Sequence, residues 1–349
     1  MKRFTRFTRF ITLALTAAII LCFSASCGED KGFNIPIICG ETDFNNICGV
    51  ATYGVDYYSL GVKAGDMAAD ILLNGADPKT MAVATDPNPS LSVNSAVAEA
   101  IGFNVPADVA AKATSGASNE VARKTDAIVT ENADFTVGIL QLVQHVALDK
   151  ANKGFQDELS VRMSEAGKKV CILDQNASND QSNNTTISES FVSKNVDLIY
   201  AIATSSAQAA ASAAAESSIP VLFNAVTDPV SSGLVDSLDN PGRNVTGVSD
   251  INPVAKQIDL AADLLGKSDV TVGFLFTSSE TNSVYQVELG KKECEAKGFK
   301  VVEKGIAEIN DIQSAFTALK QAGVDVIYIP TDNTLSNGAS TIHALNTGK

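Results

Sequence analysis

The sequence predicts an α/β protein of two Rossmann-like lobes, each a parallel sheet covered by helices, with the chain entering that architecture out of order. Three observations predict it. Short apolar, β-branched runs alternate with Ala/Glu/Lys-rich amphipathic stretches, the pattern of parallel strands joined by crossover helices. The pattern occurs twice: FTVGILQLV from Phe135, AGKKVCILDQN and VDLIYAIATSSAQAA are echoed by VTVGFLFTS from Val270, KGFKVVEKG and VDVIYIPTDNTLSN. Finally, the second copy reaches Lys349 on a strand, a polar loop and a helix with no strand to follow, whereas IPIICGETD from Ile35 is a strand and loop with no sheet around it.

Each element follows from its residues. Lys2, Arg3, Arg6 and Arg9 precede the apolar run ITLALTAAIILCF and the small residues before Cys27. Basic, apolar and small-residue zones in that order make residues 1–27 an export signal, too short for a comfortable spanning helix. FSASC is similar to a lipoprotein processing box, which makes Cys27 the candidate for lipidation and residues 28–33 a tether. Phe23 and Ser24 stand where leucine is usual, and plain secretion with cleavage near Cys27 is the other reading. After the front strand, ICGVATYG supplies another, and the helix that follows carries Leu60, Ala64, Met67, Ile71 and Leu72 on one face. Residues 114–134, TSGASNEVARKTDAIVTENAD, lack apolar periodicity and read as a solvated linker.

Joined after Lys349, the front strand completes the second lobe. Lobe 1 is then expected from residues 135–247 with 57–75, and lobe 2 from 248–349 with 34–56 and 83–113. The chain is expected to cross between them near Thr246 to Asp250 and near Tyr53 to Tyr57.

Composition narrows the function. The 349 residues hold 40 acidic and 26 basic side chains; removing residues 1–27 leaves 22 basic, a formal charge of −18 that suits nucleic acid poorly. Beyond Cys22 and Cys27, the cysteines Cys39, Cys48, Cys171 and Cys294 are widely spaced and form no metal motif, so no metal or other cofactor is assigned. A Cys39–Cys48 disulfide and two buried thiols are both open readings in an exported chain. Two histidines, no HExxH, no GxSxG and no strand-borne GxGxxG argue against an enzyme, and GKS at 266–268 lacks the upstream glycine of a phosphate loop. His343 reads as a surface helix residue and receives no role.

Ligands of open parallel sheets bind beyond the carboxyl ends of the strands. In each lobe the third strand ends in a polar loop that opens a helix: ATSSAQ, with Thr204, Ser205 and Ser206, and PTDNT, with Asp332 and Asn333. Any one of these residues alone reads equally as a helix cap; equivalent loops on two facing lobes point to a shared small-molecule site.

The stretches TVGILQLVQHVALDKANKGFQDEL, VDLIYAIATSSAQAA, IPVLFNAVTDPVSSGLV, NVTGVSD, SSETNSVYQVE, VDVIYIPTDNT, IPIICGE and ATYGVDYYSLGVKAGDMAADIL closely resemble the substrate-binding lipoproteins of the TrpX-like ABC transporter family. Members of that family begin at the stretch matching Phe135 and end at the one matching about Ala113, so the chain looks like a circular permutant. The resemblance implies a type I periplasmic binding protein architecture that closes on an aromatic amino acid such as tryptophan and presents it to ABC permease and ATPase subunits. It also implies a location outside the cytoplasmic membrane, held by a lipid anchor.

An α-amino acid offers a carboxylate, suited to hydroxyls and amides at a helix N-terminus, and an ammonium, suited to a carboxylate. Thr204, Ser205 and Ser206 are the carboxylate candidates; Asp332, with Asn333 to orient it, is the ammonium candidate, and Glu41 and Asp56 are second candidates. Gln141, His145 and Ser283 are candidates for the side-chain pocket. Asp228 before Pro229 reads equally as a ligand group or a turn residue, and Tyr57 and Tyr58 as stacking groups or core. A nucleoside or sugar receptor, and a sensor feeding a signalling partner, are the alternatives.

Overall fold

The computed structural model describes residues 32–86, 88–114 and 120–349. The predicted export signal, Cys27, residues 28–31 of the tether and residues 115–119 of the linker lie outside the described residues. In chain order the main elements begin with β1 (Ile37–Cys39), α1 (Thr42–Cys48), β2 (Ala51–Gly54), α2 (Tyr57–Asn74), β3 (Ser90–Val93), α3 (Ser95–Ala100) and α4 (Ala107–Ala110). Then come β4 (Phe135–Gln141), α5 (Val146–Glu165), β5 (Val170–Asn176), α6 (Gln181–Ser193), β6 (Leu198–Ile202), α7 (Thr204–Ala213), β7 (Val221–Asn224) and β8 (Val245–Val248). The last run is α8 (Val254–Leu265), β9 (Thr271–Thr277), α9 (Thr281–Lys297), β10 (Lys300–Ile306), α10 (Ile312–Gln321), β11 (Val326–Ile329), α11 (Asn333–Asn337) and α12 (Ala339–Thr347).

Two sheets result. One has the order β5-β4-β6-β7-β8 and is wholly parallel; the other has the order β10-β9-β11-β1-β2-β3 and is parallel except for β2 and β3. All of β6, β7 and β11 is buried, as expected of apolar β-branched strands covered on both faces.

The strand that the C-terminal unit lacks is β1. It lies between β11 and β2, pairing Ile37 with Ile327 and Cys39 with Ile329. The joint is tight: Phe33 N donates to Leu345 O at 3.1 Å, and the Asn346 side chain brackets Ile35, accepting from its N–H at 2.9 Å and donating to its carbonyl at 2.8 Å.

Helix α2 leaves β2 and buries Tyr57, Leu60, Ala64 and Met67 in the core of the five-stranded lobe, against Phe155, Leu159 and Tyr200. Its approach to α5 is close because Gly61 and Gly154 lack side chains: a Cβ on either would collide with the carbonyl of Ala151 or Tyr58. Such backbone contact explains why glycine interrupts two helices at a cost of about 1 kcal/mol in propensity each.

Two details differ from expectation, and one open reading is decided. Val83 and Ala84 belong with lobe 1, since Ala84 N bonds Gly247 O at 2.9 Å along β8; lobe 2 resumes only at β3. The linker is not a free solvated connector beyond residue 119, because Ala127 is buried in the lobe 1 core and Ile128 bridges Val170. Cys39 and Cys48 are both buried thiols with sulfurs 4.0 Å apart.

Candidate functional site

The two lobes meet where residues just beyond the strand ends face one another. Glu41 follows β1, Tyr57 β2, His145 and Leu148 β4, Ala225 β7, Asp250 β8, Asn282 β9, and Thr331 to Asn333 β11; together they wall a cavity of only about 10 Å³. The lobes are shut on each other. Lys150 pairs with Asp43 at 2.6 Å, Asn179 bonds Thr334 at 3.3 Å, and His145 Nε2 lies 3.4 Å from Asn333 Oδ1.

In lobe 2 the polar loop after β11 is saturated by its own surroundings. The Asp332 carboxylate accepts from Thr277 N and Oγ1, Ser283 Oγ and Leu335 N at 2.6–2.8 Å, filling its roughly four acceptor sites. Burial, followed by the nearby Glu280 carboxylate, raises its pKa to about 7. Glu280 accepts from the backbone N–H groups of Asn333 and Thr334, the Thr334 hydroxyl and the Asn333 amide at 2.8–2.9 Å. The first turn of α11 is thereby neutralised from two sides.

In lobe 1 the equivalent loop is open. Ala203, the N-cap of α7, has φ +84° and offers no side-chain cap, while Thr204 is buried with an Oγ1 that has no partner. A non-glycine residue at positive φ is strained. It is held here by β7: Ala203 N bonds Asn224 O at 2.9 Å, one residue from Ala225 of the cavity wall. Ser205 is half-buried. Ser206 is fully buried and bonds Asn184 at 2.8 Å within lobe 1.

Two further carboxylates retain acceptor capacity. Glu41 caps α1, taking Asp43 N and Phe44 N at 2.6 Å each; burial first, and the neighbouring Asp43 second, raise its pKa to about 8. Asp250 takes the Tyr57 hydroxyl at 2.6 Å and the Thr227 hydroxyl at 3.0 Å, and burial raises its pKa. Burial also lowers the pKa of His145, favouring the neutral imidazole. Asn282 lines the same cavity with an unpartnered, buried Oδ1.

The structure thus brings Glu41, Tyr57, His145, Asp332 and Asn333 to the cavity wall and leaves Thr204, Ser205, Ser206 and the other candidates off it. Gln141 is tied to Val143 O, Asp149 and Asn152, and Ser283 to Asp332, so both brace their own lobes. Asp56 caps α2 and faces a separate groove of about 390 Å³ shared with Asp43 and Lys150. Asp228 accepts from Val230 N and Ser231 N as a turn residue does. Tyr57 reaches the site through Asp250, whereas Tyr58 bonds Asp157 on the far side of α2.

The family model described as ABC transporter substrate binding protein matches residues 11–117 and 136–348, most of the chain. The chain belongs to this family. The gap between the two matched segments falls on the predicted linker. A tyrosine-binding protein of Clostridioides difficile (strain R20291) is 42% identical over 219 residues, 63% of this chain and 61% of the relative. The chain thus matches less than two thirds of that relative's length. Among solved structures, an ABC domain in complex with L-Trp from Streptococcus pneumonia is similar at 37% identity and a TM-score of 0.55, over 61% of this chain and 71% of that one. A conserved domain protein from Vibrio cholerae O1 biovar El Tor is similar at 33% identity, with the same TM-score and shares. The two facing lobes with parallel sheets are the type I periplasmic binding protein architecture that the sequence predicts.

For this substrate-binding protein, sequence reasoning missed Glu280, Asp250 and Asn282. Position was the available signal. Asp250 follows β8 and Glu280 follows β9, as Glu41 follows β1, so each stands where a strand end delivers a side chain to the cleft.

Proposed function

We propose that the protein captures an aromatic α-amino acid between its lobes, outside the cytoplasm, as the receptor of an ABC importer. The observation that carries this reading is a set of unsatisfied groups beyond the strand ends: Glu41 and Asp250 on the cavity wall, and the start of α7, tied through Ala203 to the strand that delivers Ala225 to that wall. The uncapped N-terminus of α7 with the unpartnered Thr204 hydroxyl suits a carboxylate, and the spare acceptors of Glu41 and Asp250 suit an ammonium. Both halves of an α-amino acid then have partners, and Asp332 serves the fold of lobe 2 rather than the ligand. The relatives support the side-chain class, one being named for tyrosine and another holding L-Trp.

With the lobes shut on about 10 Å³, a ligand enters only after the hinge opens or the wall rearranges. We read the chain as a circular permutant, its two segments joined in space by β1 and in sequence by residues 114–134. Docking to permease and ATPase subunits and anchoring through Cys27 complete the proposal.

A thermal-shift screen of residues 28–349 against the L-amino acids, nucleosides and sugars tests it. Stabilisation confined to aromatic amino acids is expected, of about 2.7 kcal/mol at a hundredfold excess over Kd. Stabilisation by a nucleoside or sugar instead would overturn the ligand class.

A further inference from the structure

Lobe 1 carries a larger cavity away from the cleft. It measures about 630 Å³ and lies beside the C-terminal half of α7 and the first residues of β7 and β8, at the opposite end of the sheet from the strand ends that form the cleft. Val221, Leu234 and Val245 give it an apolar wall.

Two features set it apart. Its charged lining residues are Lys79 and Arg243, with no carboxylate among them, although acidic residues outnumber basic ones 40 to 26 in the chain. In addition, Ser232 is only 9% exposed and contributes a hydroxyl that is buried without a partner.

The cations are held in place. Arg243 Nη1 donates to Gly233 O at 2.8 Å and Nε lies 3.3 Å from Asp236, which leaves Nη2 free to meet a ligand. Gly242 N bonds Lys79 O at 3.0 Å, fixing the Lys79 backbone beside the Arg243 segment. Lys79 has no acidic partner among the described residues.

We propose that this cavity is a second binding site, for a small organic anion with an apolar body. Its carboxylate meets Arg243 and Lys79, the Ser232 hydroxyl supplies a further donor, and the body lies against Val221, Leu234 and Val245. An apolar wall with a few convergent polar groups is the usual make-up of a small-molecule site.

The test is a titration with 2-naphthoate, followed by the probe's own fluorescence anisotropy in a chain that contains no Trp. The proposal expects saturable binding that excess L-tyrosine does not displace and Asp250→Asn does not weaken. It expects a loss of about tenfold or more on Arg243→Gln combined with Lys79→Gln, both exposed positions whose replacement leaves the melting temperature unchanged. Ser232→Val is expected to weaken binding as well. The proposal fails if 2-naphthoate shows no saturable binding, if L-tyrosine or Asp250→Asn removes it, or if the neutral analogue 2-naphthalenemethanol binds equally well.

Discussion

The loops that close the third strand of each lobe, ATSSAQ after β6 and PTDNT after β11, look alike in sequence, and the fold treats their donors differently. After β11, two buried carboxylates, Asp332 and Glu280, take up the N–H groups and hydroxyls of the helix start. After β6, no side chain caps the helix and Thr204 keeps an unpartnered hydroxyl. The same residue types at the same topological position are thus a structural clamp in one lobe and an open set of donors in the other. What distinguishes them is two acidic residues: Asp332, which caps its own helix where lobe 1 has Ala203, and Glu280, delivered by the neighbouring strand.

Removing Glu280 has the largest expected effect. Glu280→Ala strands the N–H groups of Asn333 and Thr334 in a buried site, and should lower stability by about 3–5 kcal/mol in urea unfolding. A loss below about 1 kcal/mol would mean that the clamp is not needed. Next, Asp250→Asn should leave stability nearly unchanged while weakening aromatic amino acid binding by about 10- to 100-fold, the weight of a charge-assisted hydrogen bond. Calorimetric titration separates these two outcomes.

The pH dependence sharpens the same contrast. Glu41, with a pKa of about 8 in the closed cleft, must lose its proton before it can hold an ammonium. Binding should therefore strengthen by up to about tenfold per pH unit below 8 and level off above it, with the slope abolished in Glu41→Gln. The ligand-free protein should behave oppositely: its folded state binds this proton more tightly than the unfolded chain, so Glu41's contribution to stability falls as pH rises from about 4.5 to 8. The smallest expected effects are a matched pair. Thr204→Val should weaken binding by about fivefold with no loss of stability, whereas Ser206→Ala should cost about 1 kcal/mol of stability, through its lost bond to Asn184, and leave binding unchanged.

Much of the fold was legible because alternating apolar runs and amphipathic helices state their partners locally, and because a strand left without a sheet at Ile35 and a sheet left without a strand after Lys349 answer each other. The path of residues 83–84 was not legible: a short stretch that runs along β8 carries no period of its own. At the site, strand ends named the right neighbourhood, and Glu41, His145 and Asn333 lie in it. Asp332 shows the limit. An aspartate opening a helix reads the same whether it serves the helix or a ligand, and the choice is made by Thr277 and Ser283, 55 and 49 residues away in sequence. Asp250 gains its place through Tyr57, 193 residues distant, a pairing that no local pattern encodes.

The decisive measurement is a calorimetric comparison of L-tryptophan with tryptamine, which lacks the carboxylate, and indole-3-propionate, which lacks the ammonium. If α7 takes the carboxylate while Glu41 and Asp250 take the ammonium, L-tryptophan binds and each analogue is weaker by about a hundredfold or more. An analogue that binds as tightly as the amino acid would contradict that division of labour between the lobes.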